Sequence, residues 1–492
     1  MEKLTIQLGV IGAYLILAVA VGLVAFRRTD RNAEDFYLAG RTLGTVVLLF
    51  TTFATLLSAF TFFGGPNLAF SAGPEWILVM GLMDGVLFGI LLYVVGYRQW
   101  LVGQEHGYVT LGEMLGERFD STGLRVLVAG ISLFWLFPYV MLQQKGAGQA
   151  IVGLTDGAVP FWVGAGGITL FMLLYVVVSG MRGVAWTDTI QGALMLVLIW
   201  SAVIWVVAAA DGIGVATEAM ATSNPEFAAL GGGLYSPAWM LSTAISIAFG
   251  VTMFPQINQR FFAAGSKRVL QRTFALWPVL VLLLFVPAFM LGAWATGLGV
   301  TVPAGGNVLP AVLAEYTPGW FAALVIAGAL AAMMSSSDSM LLSGSAYLTR
   351  DIYRPARRLR GALGANREAL VSRVGVAVFA VGSFVASLSA GGTIVQIGNT
   401  AFGGFAQLTL PVIVALYWHR TTRAGMFAGI GIPQLFYLAS VFLPQVPGAF
   451  LGGWEASLFG MGLGLVLTIG VSLITTPAAS ERAASFDGLR AD

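Results

Sequence analysis

Cysteine is absent from this sequence, and histidine occurs only twice among its 492 residues. Without cysteine there is no disulfide framework, no thiolate metal site and no cysteine nucleophile, and two imidazoles are too few for a histidine-based metal centre. Charge is scarce as well. Asp, Glu, Lys and Arg make up 10% of the chain, against about 25% in soluble domains. What fills the sequence instead is apolar: 58% of residues are hydrophobic and the mean hydropathy is +0.85. Such a chain is an integral membrane protein. Its 63 glycines exceed the usual share of about 7% and suit helices that pack closely on small residues.

The first apolar run, Leu4 to Phe26, is longer than a signal-peptide core. It ends in Arg27-Arg28 without a small-residue cleavage pattern, so it reads as a retained helix. Counting about 20 apolar residues per crossing gives an all-α protein with thirteen expected spans. They lie near 4–26, 43–72, 76–97, 124–152, 161–179, 185–209, 236–259, 274–296, 318–346, 371–389, 393–417, 424–443 and 455–475. They form one transmembrane domain, 1–478, followed by a short polar tail, 479–492.

Basic residues test this count, because Lys and Arg gather in cytoplasmic loops. Arg27, Arg28, Arg31 and Arg41 follow span 1; Arg98, Arg118 and Arg125 lie around the loop after span 3; Arg182 follows span 5. Arg260, Lys267, Arg268 and Arg272 follow span 7, seven arginines from Arg350 to Arg373 follow span 9, and Arg420 and Arg423 follow span 11. Arg482 and Arg490 stand in the tail; of the 25 basic residues only Lys3 falls on the other side and only Lys145 inside a helix. The expected topology has the N terminus outside and the C terminus in the cytoplasm, in the cell membrane.

Spans 2 and 7 therefore enter from opposite sides, five crossings apart. Both are interrupted, span 2 by Gly64-Gly65-Pro66 and span 7 by Gly250 and Pro255. Matched broken helices are the pattern of an inverted repeat, here about 43–209 and 236–417, with a binding site at the midplane.

The segment "LAAMMSSSDSMLLSGSAYLTRDIYRP", Leu330 to Pro355, sets polar groups inside span 9. Hydrocarbon disfavours them, so they face the bundle interior or an ion or substrate pathway. Ala332, Ser335 and Ser336 share one helix face, and Ser335, Asp338 and Ser339 repeat the spacing. Hydroxyl and carbonyl oxygens suit a small hard cation, and an unwound span 2 can supply carbonyls from Ala54 and Leu57. The bland alternative is that serines permit close packing and bond back to their own turn; a buried Asp338 is not needed for that.

The stretches "DFYLAGRTLG" (Asp35 to Gly44), "GMRGVAWTDTIQG" (Gly180 to Gly192) and "AAMMSSSDSMLLSGSAYLTRDIY" resemble the sodium:solute symporter family, in order and register over roughly residues 35 to 420. The resemblance implies a LeuT-type 5+5 inverted repeat in spans 2 to 11, and sodium-driven alternating access. It implies a general sodium site made by Ala54, Leu57, Ala332, Ser335 and Ser336. Some members bind a second sodium, for which the matching residues are Asp188, Ser335, Asp338 and Ser339. Asp338 stands where those members carry a hydroxyl, and either strengthens such a site or holds a proton. Asp188 also reads as an acid favoured in a helix's first turn, and Arg182 and Asp35 as cytoplasmic structural contacts.

For the solute, the sugar branch of that family has polar groups where this chain has Leu56, Phe60 and Thr61, so a sugar is disfavoured. The proline branch has an acid at the position of Leu56, so an amino acid lacks an acidic partner in span 2. Span 4, "FWLFPYVMLQQKGAGQ", resembles the monocarboxylate and pantothenate-like branch. Its Lys145 either meets a carboxylate substrate or snorkels to the surface. The expected substrate contacts are Ser58, Thr61, Tyr139, Gln143, Lys145, Phe249 and Thr252, with Arg260 marking the cytoplasmic end of span 7.

The expected function is import of a small organic solute, a monocarboxylate or related acid, coupled to one or two Na+. Another polar solute such as proline is the alternative. An enzyme is disfavoured because no HExxH or GxSxG stands in a suitable context. A sensor would need a signalling domain that the short tail does not provide. A passive channel also uses carbonyls and hydroxyls, and only accumulation against a gradient separates the two. The lipid bilayer is the expected surrounding, with no nucleic acid and no obligate protein partner. Because both polar faces share Ser335, Ser335→Ala should weaken the sodium dependence of uptake more than Ser337→Ala; equal effects would contradict the face assignment.

Overall fold

A computed structural model describes residues 2–26, 33–231, 234–303, 305–357 and 365–477. Arg27, Arg28, Arg31, Arg358, Arg360 and the tail 479–492, all used in the topology argument, lie outside the described residues. Hydrocarbon offers no partner to an open backbone group, so apolar stretches of this length wind into helices. Among the described residues, ten helices are long and apolar enough to cross a membrane. Two bent pairs bring the number to twelve if each is one span: Thr45–Leu56 with Phe60–Ala72 at 58°, and Pro237–Thr252 with Pro255–Ala263 at 54°. The shorter apolar helix Phe161–Leu174 coincides with expected span 5. Every expected span is thus helical.

Two differences concern the ends. Span 3 runs on to His106 and span 9 to Ala356, well past the last residue of their apolar runs, because helical hydrogen bonding is local and does not stop where hydrocarbon does. Between spans 5 and 6 there is no loop. The helix turns at Gly180, whose φ of 57° favours glycine and whose position a Cβ would share with Phe36.

Span 9 lies at the centre. Of its apolar window 83% is buried, against 22% for span 1, whose Ile16 and Leu17 are exposed in the manner of lipid-facing side chains. Spans 2, 4 and 6 pack on span 9, and span 7 lies along span 11. The approach of span 7 to span 11 needs a glycine, because a Cβ on Gly250 would collide with the backbone of Phe402.

On the arginine-rich side an ion-pair clasp joins four elements. Glu113, on the short helix Leu111–Arg118, meets Arg125 of span 4 at 2.9 Å and Arg350 of span 9 at 3.2 Å. Arg125 also meets Asp351 at 2.8 Å, and Arg350 meets Glu368 at the start of span 10 at 3.2 Å. Arg182 pairs with Asp35 at 2.5 Å, which is the structural contact expected of both. Burial pushes the Glu113 carboxyl up, but Arg350 and Arg125 outweigh it and hold the group below its ordinary value.

A carboxyl lowered in the folded state contributes stability above its unfolded pKa and loses it as pH falls through the folded one. Glu113→Gln should therefore lower stability near neutral pH by about 1–3 kcal/mol. That is less than a lost buried pair costs, because Arg125 keeps Asp351 and Arg350 keeps Glu368. In thermal melts the gap between wild type and variant should hold from about pH 7 to pH 5 and close only below the ordinary carboxylate range. A gap that is independent of pH would contradict the ion-pair account.

Candidate functional site

The helix Thr45–Leu56 stops inside the bundle, and Leu57 is extended at φ −77° and ψ 122°. A helix end leaves its last carbonyls without amide partners, and in hydrocarbon such groups must be met by side chains. The amides just beyond do not return to them: that of Ala59 goes to Gln143 Oε1 at 2.9 Å and that of Phe60 to Ser58 Oγ at 3.1 Å. The Ser336 hydroxyl of span 9 lies against two of the carbonyls, Thr55 O at 2.8 Å and Leu57 O at 2.7 Å. A hydroxyl has one proton, so it can serve one of them at a time. Three oxygens converge here with a donor for only one of the two carbonyls, an arrangement a small cation would complete.

The bend in span 7 is built in a parallel way. Asn258 donates to Thr252 O at 3.2 Å and to Phe254 O at 2.8 Å, closing the break with an amide side chain.

Asp188 sits beside the first break, fully buried. Ser335 Oγ donates to its Oδ1 at 2.6 Å, and Thr51 Oγ1 donates to its Oδ2 at 2.5 Å. The same Oδ2 accepts from Arg260 Nη2 at 3.0 Å. Arg260 is 1% exposed. Its Nη2 also reaches Thr51 Oγ1 at 2.9 Å and Ser339 Oγ at 2.6 Å, while Nη1 donates to Gln256 O at 3.0 Å. Ser339 Oγ also lies 2.9 Å from Thr55 Oγ1, a contact in which either hydroxyl can donate. Every charge and hydroxyl in this cluster has a partner.

The sequence-predicted residues divide accordingly. Leu57 and Ser336 come together, with Thr55 rather than Ala54 giving the second carbonyl to Ser336; Ala54 and Ala332 are buried nearby in the same two helices. Ser335 turns to Asp188 and away from the carbonyls. Asp188, Ser335 and Ser339 form one cluster, but Asp338 does not join it: it is buried, and its Oδ1 has no hydrogen-bond partner among the described residues. Ser337 bonds back to Met333 O at 2.6 Å, which is the bland behaviour weighed for all the serines.

A cavity of about 30 Å3 lies next to the break, with Leu57, Thr61 and Tyr139 in its wall. Ser58 reaches it through Tyr139, the two hydroxyl oxygens lying 3.2 Å apart, and Gln143 braces the break instead of facing the cavity. Phe249 and Thr252 are not in the wall. The face of that helix turned to the cavity carries Ile247 and Val251 instead, four residues apart, and the Thr252 hydroxyl bonds back to Ala248 O at 2.8 Å. Lys145 is placed elsewhere, donating to Ala390 O at 2.9 Å and Gly392 O at 2.6 Å. It snorkels, and the expectation of an organic acid loses the side chain on which it rested. Arg260 is corrected as well: it is a buried partner of Asp188, not a solvated marker of the helix end.

Sequence reasoning missed Thr51, Thr55, Arg260 and Asp84, the last of these lining the cavity. Two signals were available. Thr51, Thr55 and Ser58 recur at helical spacing on one face, and Asp84 is an acid inside the apolar run of span 3, which is a functional-site signal in itself.

The model of the family described as "Sodium:solute symporter family" matches residues 36–432. Among curated relatives, the sodium/pantothenate symporter of Escherichia coli (strain K12) is 27% identical over 454 residues, covering 89% of this chain and 93% of its own. The sodium/proline symporter of Haemophilus influenzae is 28% identical over 442 residues, covering 85% and 84%. A solved structure of a Na+-coupled sialic acid symporter, described as substrate-bound and outward-open, superposes with a TM-score of 0.79 at 21% identity, over 96% of this chain and 98% of that one. The fold is the one shared with that transporter.

Removing one member of a buried ion pair leaves the other uncompensated, at about 3–5 kcal/mol, whereas replacing both by apolar groups is often near neutral. Asp188→Asn should therefore lower the thermal midpoint strongly, and the double variant Asp188→Leu with Arg260→Met should recover most of the loss. A double variant as unstable as the sum of its singles would refute direct pairing.

Proposed function

The chain belongs to the sodium:solute symporter family, a multi-pass membrane transporter of a small solute and not an enzyme, and from that premise we propose how this molecule couples sodium to its solute. The observation that carries the reading is the Ser336 hydroxyl shared between the carbonyls of Thr55 and Leu57. Sodium entering there is received by both carbonyls and the Ser336 oxygen, and Ala54, Ala332 and Ser335 complete the general site once Ser335 turns from Asp188. Binding ties the break in span 2 to span 9, so the ion and the solute cavity beside Leu57 respond to one backbone movement.

One sodium moves per cycle. The place expected for a second is supplied with positive charge by Arg260, which already satisfies Asp188 and Ser339, so a second ion would have to displace a guanidinium. A single charge crossing 100 mV supplies about 2.3 kcal/mol, enough for a solute gradient of roughly 50-fold. Asp338 stays outside the coupling cluster.

The repeats run over about 43–209 and 236–417 within one transmembrane domain, 1–478, and the bends of 58° and 54° stand at corresponding places in them. The excess of arginine on one side supports a reading with that side in the cytoplasm and the N terminus outside. The clasp around Glu113 then closes the inner side, while a cavity of about 240 Å3 on the other side shares Ile247 with the central one. That is the asymmetry alternating access requires.

In sealed proteoliposomes an inward sodium gradient should drive accumulation above equilibrium, with a Hill coefficient for sodium near one. Ser336→Ala should raise the sodium concentration for half-maximal uptake by at least about tenfold. A coefficient near two, or an unchanged sodium requirement in Ser336→Ala, would refute this assignment, and equilibration without accumulation would favour a channel.

A further inference from the structure

The absence of an acid in span 2 argues against an amine substrate, yet the cavity beside the break holds a carboxylate from another span. Asp84 of span 3 lines the same wall as Leu56. Its side chain belongs to a residue only 8% exposed, and Oδ1 has no hydrogen-bond partner among the described residues. A buried ionisable group in a transmembrane helix is costly unless it is used. Asp84 lines the cavity with one oxygen unpaired, and such a group specifies what it lacks, namely a donor and a positive charge.

The rest of the wall has the same preference. Phe60, Phe88, Tyr139, Trp277 and Phe402 surround the cavity. They brace one another, Phe88 against Trp277 at 5.2 Å and Phe402 against Phe60 at 5.2 Å and Tyr139 at 5.3 Å between ring centres. Aromatic faces attract cations and do not hold a free carboxylate. Trp277 Nε1 is a donor without an acceptor among the described residues, and Thr61 adds a hydroxyl to the wall.

We infer that the transported solute carries a protonated amine, its N–H groups received by Asp84 within this aromatic wall, and an acceptor oxygen close by for the Trp277 indole. A quaternary ammonium is a poorer fit, since it has no N–H to satisfy Asp84. At about 30 Å3 the cavity has room for a small head group, not a whole solute. The remainder extends toward the polar cavity beyond Ile247, where Thr243, Ser246 and Ser440 present hydroxyls. The assignment rests on the symport reading above and adds the charge of the solute to it. The named relatives do not decide it, since they include both a pantothenate and a proline symporter.

The test uses the full-length protein in proteoliposomes with an inward sodium gradient. The probes are the twenty amino acids and ethanolamine as N–H amines, choline and glycine betaine as quaternary ones, and lactate and pantothenate as anions. At least one N–H amine should accumulate, and Asp84→Asn should cut that uptake by at least about tenfold, with partial return in Asp84→Glu. A sodium-dependent thermal shift, unchanged in Asp84→Asn, shows that the variant is folded and its ion site intact. Accumulation of only anions or quaternary amines, amine uptake in Asp84→Asn within about twofold of wild type, or no amine uptake at all overturns the inference. Sodium-driven lactate or pantothenate uptake that Asp84→Asn leaves intact overturns the amine while the symport reading stands. No sodium-dependent uptake of any probe, together with no sodium-dependent thermal shift, overturns both.

Discussion

A helix that ends inside a membrane leaves carbonyl oxygens that no water can reach, and the structure is organised around answering them. At the break after Leu56 the answer comes from other spans. Gln143 takes the Ala59 amide, and Ser336 approaches the carbonyls of Thr55 and Leu57. The second break, after Thr252, is answered by its own Asn258. The contrast is physically meaningful. A break closed by its own side chain is a rigid corner, whereas a break closed by a hydroxyl that can serve only one of two carbonyls retains an affinity for a cation.

The same low-dielectric setting governs the charges. An isolated carboxylate at Asp188 would be strongly disfavoured, and Arg260 together with Ser335 and Thr51 offsets that cost. Asp188 lies one hydrogen bond from Ser335, which neighbours Ser336 in sequence, so the ion pair positions the span-9 hydroxyls while standing apart from the carbonyl pair. Asp84 has no such compensation within the chain. Asp188, answered by arginine, and Asp84, which lines a cavity with one oxygen unpaired, mark the difference between a charge that holds structure and a charge that waits for a ligand.

The clasp on the arginine-rich side works at the opposite end of the polarity scale. Its acids Glu113, Asp351 and Glu368 are buried while Arg125 and Arg350 stay partly exposed, the pairs are shared among four elements, and each arginine has two acidic partners. Because each arginine is shared between two acids, moving one element leaves the arginine with a remaining partner, which suits a surface that has to part during transport. The Asp188–Arg260 pair could not be opened so cheaply.

Much of this was determined by the sequence alone. Thirteen apolar stretches became helices, because in hydrocarbon no other backbone conformation satisfies its own hydrogen bonds. The two interruptions were legible from Gly64-Gly65-Pro66 and from Gly250 and Pro255, since glycine and proline act on the backbone locally. The meeting of Leu57 with Ser336 was legible too, through spacing on span 9 and family resemblance. Tertiary structure alone decided which way long or charged side chains turn. Lys145 reaches the carbonyls of Ala390 and Gly392, Arg260 folds inward to Asp188, and Asp338 stands apart from Ser339 although it is adjacent in sequence. Helical spacing sets the face on which a residue starts, but a side chain with several rotatable bonds ends wherever another element offers it a partner, and that is known only once the elements are packed.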